Sequence, residues 1–114
     1  QSGKTMADIQ EQKDLLSNYT SNINEAALQG MARTYALVLS KQDSRNVSCG
    51  DAAEKDTVRK NFLQKKLGLT HNDDVLNAAI EEVCVKMKDA RLKSRLAFYY
   101  LLAEKFNLLA NFIK

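Results

Sequence analysis

The sequence contains no proline and no tryptophan, and only four glycines, two cysteines and one histidine among 114 residues. Lacking proline and rich glycine, it has none of the punctuation of turn-dense β-sandwiches and points to helices. Metal binding requires clustered ligands. Cys49, His71 and Cys84 lie 22 and 13 residues apart, which matches no common zinc spacing, and no cofactor is expected. Two cysteines do not form a disulfide framework and no apolar signal segment precedes them, so a reduced, cytoplasmic protein is expected. The longest uninterrupted apolar run, Leu96–Ala103, has eight residues. A helical membrane span needs about 20, so no membrane partner is expected. A strong charge of one sign is also missing. The 17 basic and 14 acidic residues leave +3, balanced over residues 1–50, with all of the excess in 51–114. That falls short of the footprint of a dedicated nucleic-acid binder.

Catalytic signatures are equally sparse. Gln1-Ser2-Gly3-Lys4-Thr5 looks like the end of a phosphate-binding loop but lacks the upstream glycine and strand. Residues 1–5 read as an expression remnant, and Met6–Lys114 as one helical domain. No glycine-rich dinucleotide turn or serine elbow occurs. The adjacent carboxylates Asp73-Asp74 and Glu81-Glu82 point about 100° apart on a helix, so neither pair converges as a general acid and base would. Cys49, close to a helix N-terminus, is the better chemical candidate, because a helix dipole favours the thiolate. Asp51 beside it opposes that effect, and an unreactive loop cysteine is the simpler reading. Cys84 reads as a small hydrophobe on a core stripe.

What is present is helical periodicity along nearly the whole chain. A first helix is expected over Ala7–Asn18, with Ile9, Leu15, Leu16 and Tyr19 inward. Asn22 and Glu25 form a capping box for a second, Asn24–Ser40, whose stripe is Ala27, Leu28, Met31, Tyr35, Val38 and Leu39. After a polar connection at Lys41–Gly50, Asp51 and Glu54 start a third helix through Lys66, with Val58, Phe62 and Leu63 inside. Gly68 ends it, and Leu69 folds back on Leu63. Thr70–Asp73 caps a fourth, with Leu76, Ala79, Ile80, Val83, Cys84 and Met87 as its stripe. Leu96–Ala103 is apolar on every side and belongs to a central fifth helix, separated from the fourth near Asp89–Ser94. The fold class is therefore all-α, a compact single-domain bundle of about five helices around an apolar C-terminal helix.

Two basic clusters stand out: Lys55, Arg59, Lys60, Lys65 and Lys66, then Lys86, Lys88, Arg91, Lys93 and Arg95. If they met, they would contact phosphates and release counterions. The third helix, its turn and the fourth outline a helix-turn-helix. Asp73, Asp74, Glu81 and Glu82 on the second helix of that unit repel phosphates, which disfavours DNA reading. The plainer interpretation of both clusters is a solvated face with pairs such as Glu82–Lys86. The segment Asn107–Lys114 is greasy for a terminus. Docking on its own core is the expected arrangement, and if exposed, Leu109, Phe112 and Ile113 would form a two-fold dimer patch.

Cys49-Gly50-Asp51 leading into Thr57-Val58-Arg59-Lys60-Asn61-Phe62-Leu63-Gln64-Lys65-Lys66-Leu67-Gly68-Leu69 resembles the central signature of a small bacterial domain-of-unknown-function family. Phe98-Tyr99-Tyr100-Leu101-Leu102-Ala103-Glu104-Lys105-Phe106 is similar to that family's near-terminal helix. The resemblance covers most of Met6–Phe106 and implies a bacterial, cytoplasmic, all-helical domain with no assigned activity. Packing and capping explain its apolar residues and Gly68, but not Asn61, Lys65 or Lys66.

The sequence thus points to a non-enzymatic interaction protein, with an unidentified protein partner or a second copy of itself. One alternative is a weak binder of nucleic acid or acidic ligands through Lys60, Asn61, Lys65, Lys66, Lys86, Lys88, Arg91, Lys93 and Arg95. The other is a thiol-dependent enzyme using Cys49.

Overall fold

Four short polar side chains set where the helices begin. Asn24 accepts a hydrogen bond from the Ala27 N–H at 3.1 Å, and Asp51 accepts one from Ala53 at 2.9 Å. Asn72 accepts from Val75 at 2.9 Å and Ser94 from Ala97 at 3.3 Å. Each satisfies a backbone donor that a helix leaves without an internal partner. The computed structural model describes residues 12–21, 23–35, 46–89 and 93–113. Within them the order is α1 (12–16), α2 (Glu25–Thr34), strand β1 (Asn46–Val47) and α3 (Ala52–Thr57). α3 continues without a break as a π-helical stretch, Val58–Lys66. Then come α4 (Asp73–Lys86), strand β2 (Lys93–Ser94), α5 (Arg95–Lys105) and a 3₁₀ turn, Leu109–Phe112.

The helical reading holds, with local corrections. α2 is capped by Asn24, not by Asn22, which lies outside the described residues together with Ile9, Val38 and Leu39. α2 closes at Thr34, ahead of the expected Ser40, with Tyr35 as its cap. The third helix widens to π geometry, so that the Leu67 N–H reaches the Phe62 carbonyl at 2.9 Å. Gly68 takes a left-handed conformation, φ 69°, and the Leu69 N–H bonds back to Leu63 O at 3.0 Å, closing the helix as expected. Asn46 pairs with Ser94 and Val47 with Lys93 in a small antiparallel ladder. Two residues per strand carry no alternation, and nothing in the sequence marked them.

α5 is the centre. All nine residues from Arg95 to Ala103 are buried. Leu76, Ala79, Ile80, Val83, Cys84 and Met87 of α4 pack with it in one core, as do Val58, Phe62 and Leu63 from the π segment and Ala27, Leu28 and Met31 from α2. Phe62 stacks on Tyr99 with centroids 4.0 Å apart, and Tyr35 meets Tyr99 edge-on at 5.1 Å. Tyr100 accepts a hydrogen bond from the Asn24 N–H at 2.7 Å, so that its burial also fixes the start of α2. The radius of gyration, 13.2 Å, is what a single domain of this size gives.

The cysteines correct the sequence reading most plainly. Cys49 and Cys84 form a disulfide, with Cα atoms 6.0 Å apart, tying the turn before α3 to the buried face of α4. Cys84 is a core residue, but as half of a bridge rather than as a free thiol.

Candidate functional site

α3, its π extension and α4 lie antiparallel, as a ladder of polar contacts shows. Lys55 reaches Glu81 at 3.4 Å, Arg59 reaches Asn77 at 3.0 Å, and Gln64 reaches Asp73 at 3.2 Å. Numbers rise on one side as they fall on the other. Arg59 also bonds Asp56 at 3.0 Å, and its Nε lies 3.8 Å from Asp73, an ion pair without a hydrogen bond. The acids on α4 therefore hold Lys55 and Arg59 against the fold.

This antiparallel order keeps the two basic clusters apart. Lys60, Asn61, Lys65 and Lys66 are exposed. Lys65 and Lys66 sit beside the start of α4, and Lys66 lies over the Phe112 ring, 5.8 Å from its centroid. Lys86 and Lys88 are exposed at the opposite end of α4, roughly 20 Å away along the helix axis. Lys93 is half-buried in β2, and Arg91 lies outside the described residues. Arg95 must be withdrawn from any surface patch. It is buried, donates to the Tyr99 hydroxyl at 3.0 Å and to the Asn46 carbonyl at 3.4 Å, and forms an ion pair with Glu54. Burial opposes the guanidinium charge, but Tyr99 and Glu54 outweigh that cost and hold its pKa above the ordinary arginine value. Arg95 is a clamp between α3, β1 and α5.

With the bridge closed, the thiol chemistry loses its nucleophile. Cys49 is bonded to Cys84, and no free cysteine is present. His71 is exposed and stacks on Phe106 at 5.6 Å. Among the described residues no group of three or more His, Cys, Asp or Glu side chains is placed to hold a metal. No described helix is long and apolar enough to cross a membrane.

The C-terminal patch is largely occupied by its own fold. Phe112 is buried and stacks towards Phe62 at 6.2 Å, and Leu109 is half-buried. Only Ile113, 43% exposed, still faces outward, so the three residues do not form one available dimer surface.

A different apolar surface was missed. Val75 is 46% and Val85 60% exposed on the outer side of α4. With Ala78, Phe106 and the stem of Lys105 they line an open groove of about 760 Å³. Glu82 forms an ion pair with Lys105 at its edge, which holds the Glu82 carboxyl below its ordinary pKa. The signal was present in the spacing of Val75, Ala78, Glu82 and Val85. It lay hidden beside the stronger core stripe on the same helix.

These features define a small, mostly helical single domain whose surface offers a groove and no assembled catalytic constellation among the described residues. The chain belongs to the family described as protein of unknown function (DUF2853), whose model matches residues 10–110. The match bears out the resemblance to a domain-of-unknown-function family and brings no activity with it. Comparison with curated proteins gives no match.

Proposed function

We propose that the protein is a non-enzymatic interaction module that docks a partner on the outer face of α4. One observation carries the reading: Val75 and Val85 stand in water on a regular helix beside Phe106, in a groove that the described residues leave uncovered. Contiguous apolar surface rimmed by charge, here Glu81, Glu82 and Lys105, is what interaction sites present. The lysine clusters support a competing anion-binding reading less well, because they lie at opposite ends of α4.

The test is capture from bacterial lysate at low and moderate salt, using the full chain and the variant Val75→Asp/Val85→Asp as baits. A stoichiometric protein, either another species or untagged copies of this chain, should survive salt and be lost with the variant. Apolar docking tolerates salt, whereas phosphate binding weakens steeply. Recovery of nucleic acid that salt removes, and that both baits retain equally, would replace this reading with one based on Lys60, Lys65, Lys66, Lys86 and Lys88.

Cytoplasmic residence belongs to the same reading and has a consequence. Thiols are kept reduced there, so the Cys49–Cys84 bridge would form in that compartment only transiently.

A further inference from the structure

The outer face of α4 is complementary to itself. Val75, Ala78, Glu82 and Val85 follow the three-four-three spacing of alternating a and d positions in a coiled-coil seam, and all four are exposed. In an antiparallel pair, a positions of one helix layer against d positions of the other. An axis at the level of Ile80 puts Val75 on the partner's Val85 and Ala78 on the partner's Glu82, each layer occurring twice. The flanking charges follow the same axis. Asp74 lies in the first turn at one end of the seam and Lys88, in the turn just past the Met87 C-cap, at the other, both exposed, so each Asp74 comes to the end of the pair where the partner's Lys88 lies. Glu81 comes near the axis with its charge already met by Lys55, and Glu82 enters the seam paired with Lys105. Lys86 falls on the other flank, opposite the partner's Asn72. Antiparallel pairing also sets the acidic first turn of one helix against the basic last turn of the other, opposing their dipoles.

We propose that the occupant of this face is a second copy of the chain, bound by antiparallel α4–α4 packing about a two-fold axis. The inference rests on the docking reading above and names its partner. A two-fold interface uses one patch twice and must be its own complement. A face with Asp74 at one end, Lys88 at the other and valines symmetrically between them meets that requirement.

The test is sedimentation equilibrium of the full chain over a range of concentrations. A monomer–dimer equilibrium is expected, and Val85→Asp, exposed in the monomer and therefore tolerated by the fold, should weaken it about 100-fold or more. Circular dichroism of that variant should be unchanged. Asp74→Lys and Lys88→Asp should each weaken the dimer about ten-fold, and the double exchange should restore it. A chain that stays monomeric throughout, a dimer indifferent to Val85→Asp, or a double exchange that restores nothing would each overturn the proposal. If the chain is monomeric yet captures a different protein in a Val75- and Val85-dependent way, this inference fails and the docking reading stands. Loss of both results overturns both.

Discussion

Gly30 is where the C-terminal turn meets α2. A Cβ built at that position would lie 1.7 Å from the Phe112 carbonyl oxygen, so no side chain fits while the turn is docked. Alanine in place of glycine inside an ordinary helix stabilises by about 1 kcal/mol. Here the sign reverses: Gly30→Ala should cost about 1–3 kcal/mol through overpacking. Denaturant unfolding gives the sign, and hydrogen exchange at residues 110–113 reports the turn. A gain in stability with unchanged protection would show that the two backbones do not touch. The sequence signalled a greasy terminus but not Gly30, because a close backbone approach is visible only once its partner is placed. Arg95 was misread for a related reason. It follows a run of lysines and arginine and so resembles surface, but Tyr99 one turn away shares its face, and Glu54, 41 residues upstream, supplies the counter-charge.

At the scale of elements, the core helices were the most legible part. The inward residues of α4 fall on the expected stripe, and Leu96–Ala103 is central because no side of it suits water. Less legible was the π geometry of Val58–Lys66, since widening a helix by one residue per turn leaves an apolar stripe that still reads as helical. The tyrosines of this core make α5 sensitive to alkali. Burial pushes the Tyr35 hydroxyl far above its ordinary value, with neighbouring Tyr99 adding to the effect. Burial also raises Tyr99 and Tyr100, against smaller opposing pulls from Arg95 and from the Asn24 N–H. Each group holds its proton more tightly folded than unfolded. The stability tied to them is therefore fully present below about pH 10, the unfolded value, and is lost as pH climbs from there towards the folded values. In a Tyr19→Phe chain, which leaves only these three tyrosines, tyrosinate absorbance and loss of helical dichroism should rise together above that point. Tyrosinate appearing near pH 10 with the helices intact would contradict this account.

For the molecule as a whole, the decisive contact was one that spacing could not reveal. Cys84 was legible as a core position and Cys49 as a loop position, but their pairing depends on how α4 lies against the turn before α3. The same dependence on placement explains why the lysine clusters read as one surface and fold as two, and why the second stripe of α4 went unnoticed beside its first. Closing a loop of 35 residues restricts the unfolded chain, so reduction, or Cys49→Ser with Cys84→Ser, should lower stability by about 3–4 kcal/mol. Thermal unfolding with and without reductant measures this, and coincident curves would mean the bridge adds nothing. The bridge also makes a closed ring of the backbone that carries α3, the π segment and α4. A protease that cuts once inside that ring, between residues 50 and 83, would nick the molecule without dividing it, and the two pieces would part only when a thiol opened the last link.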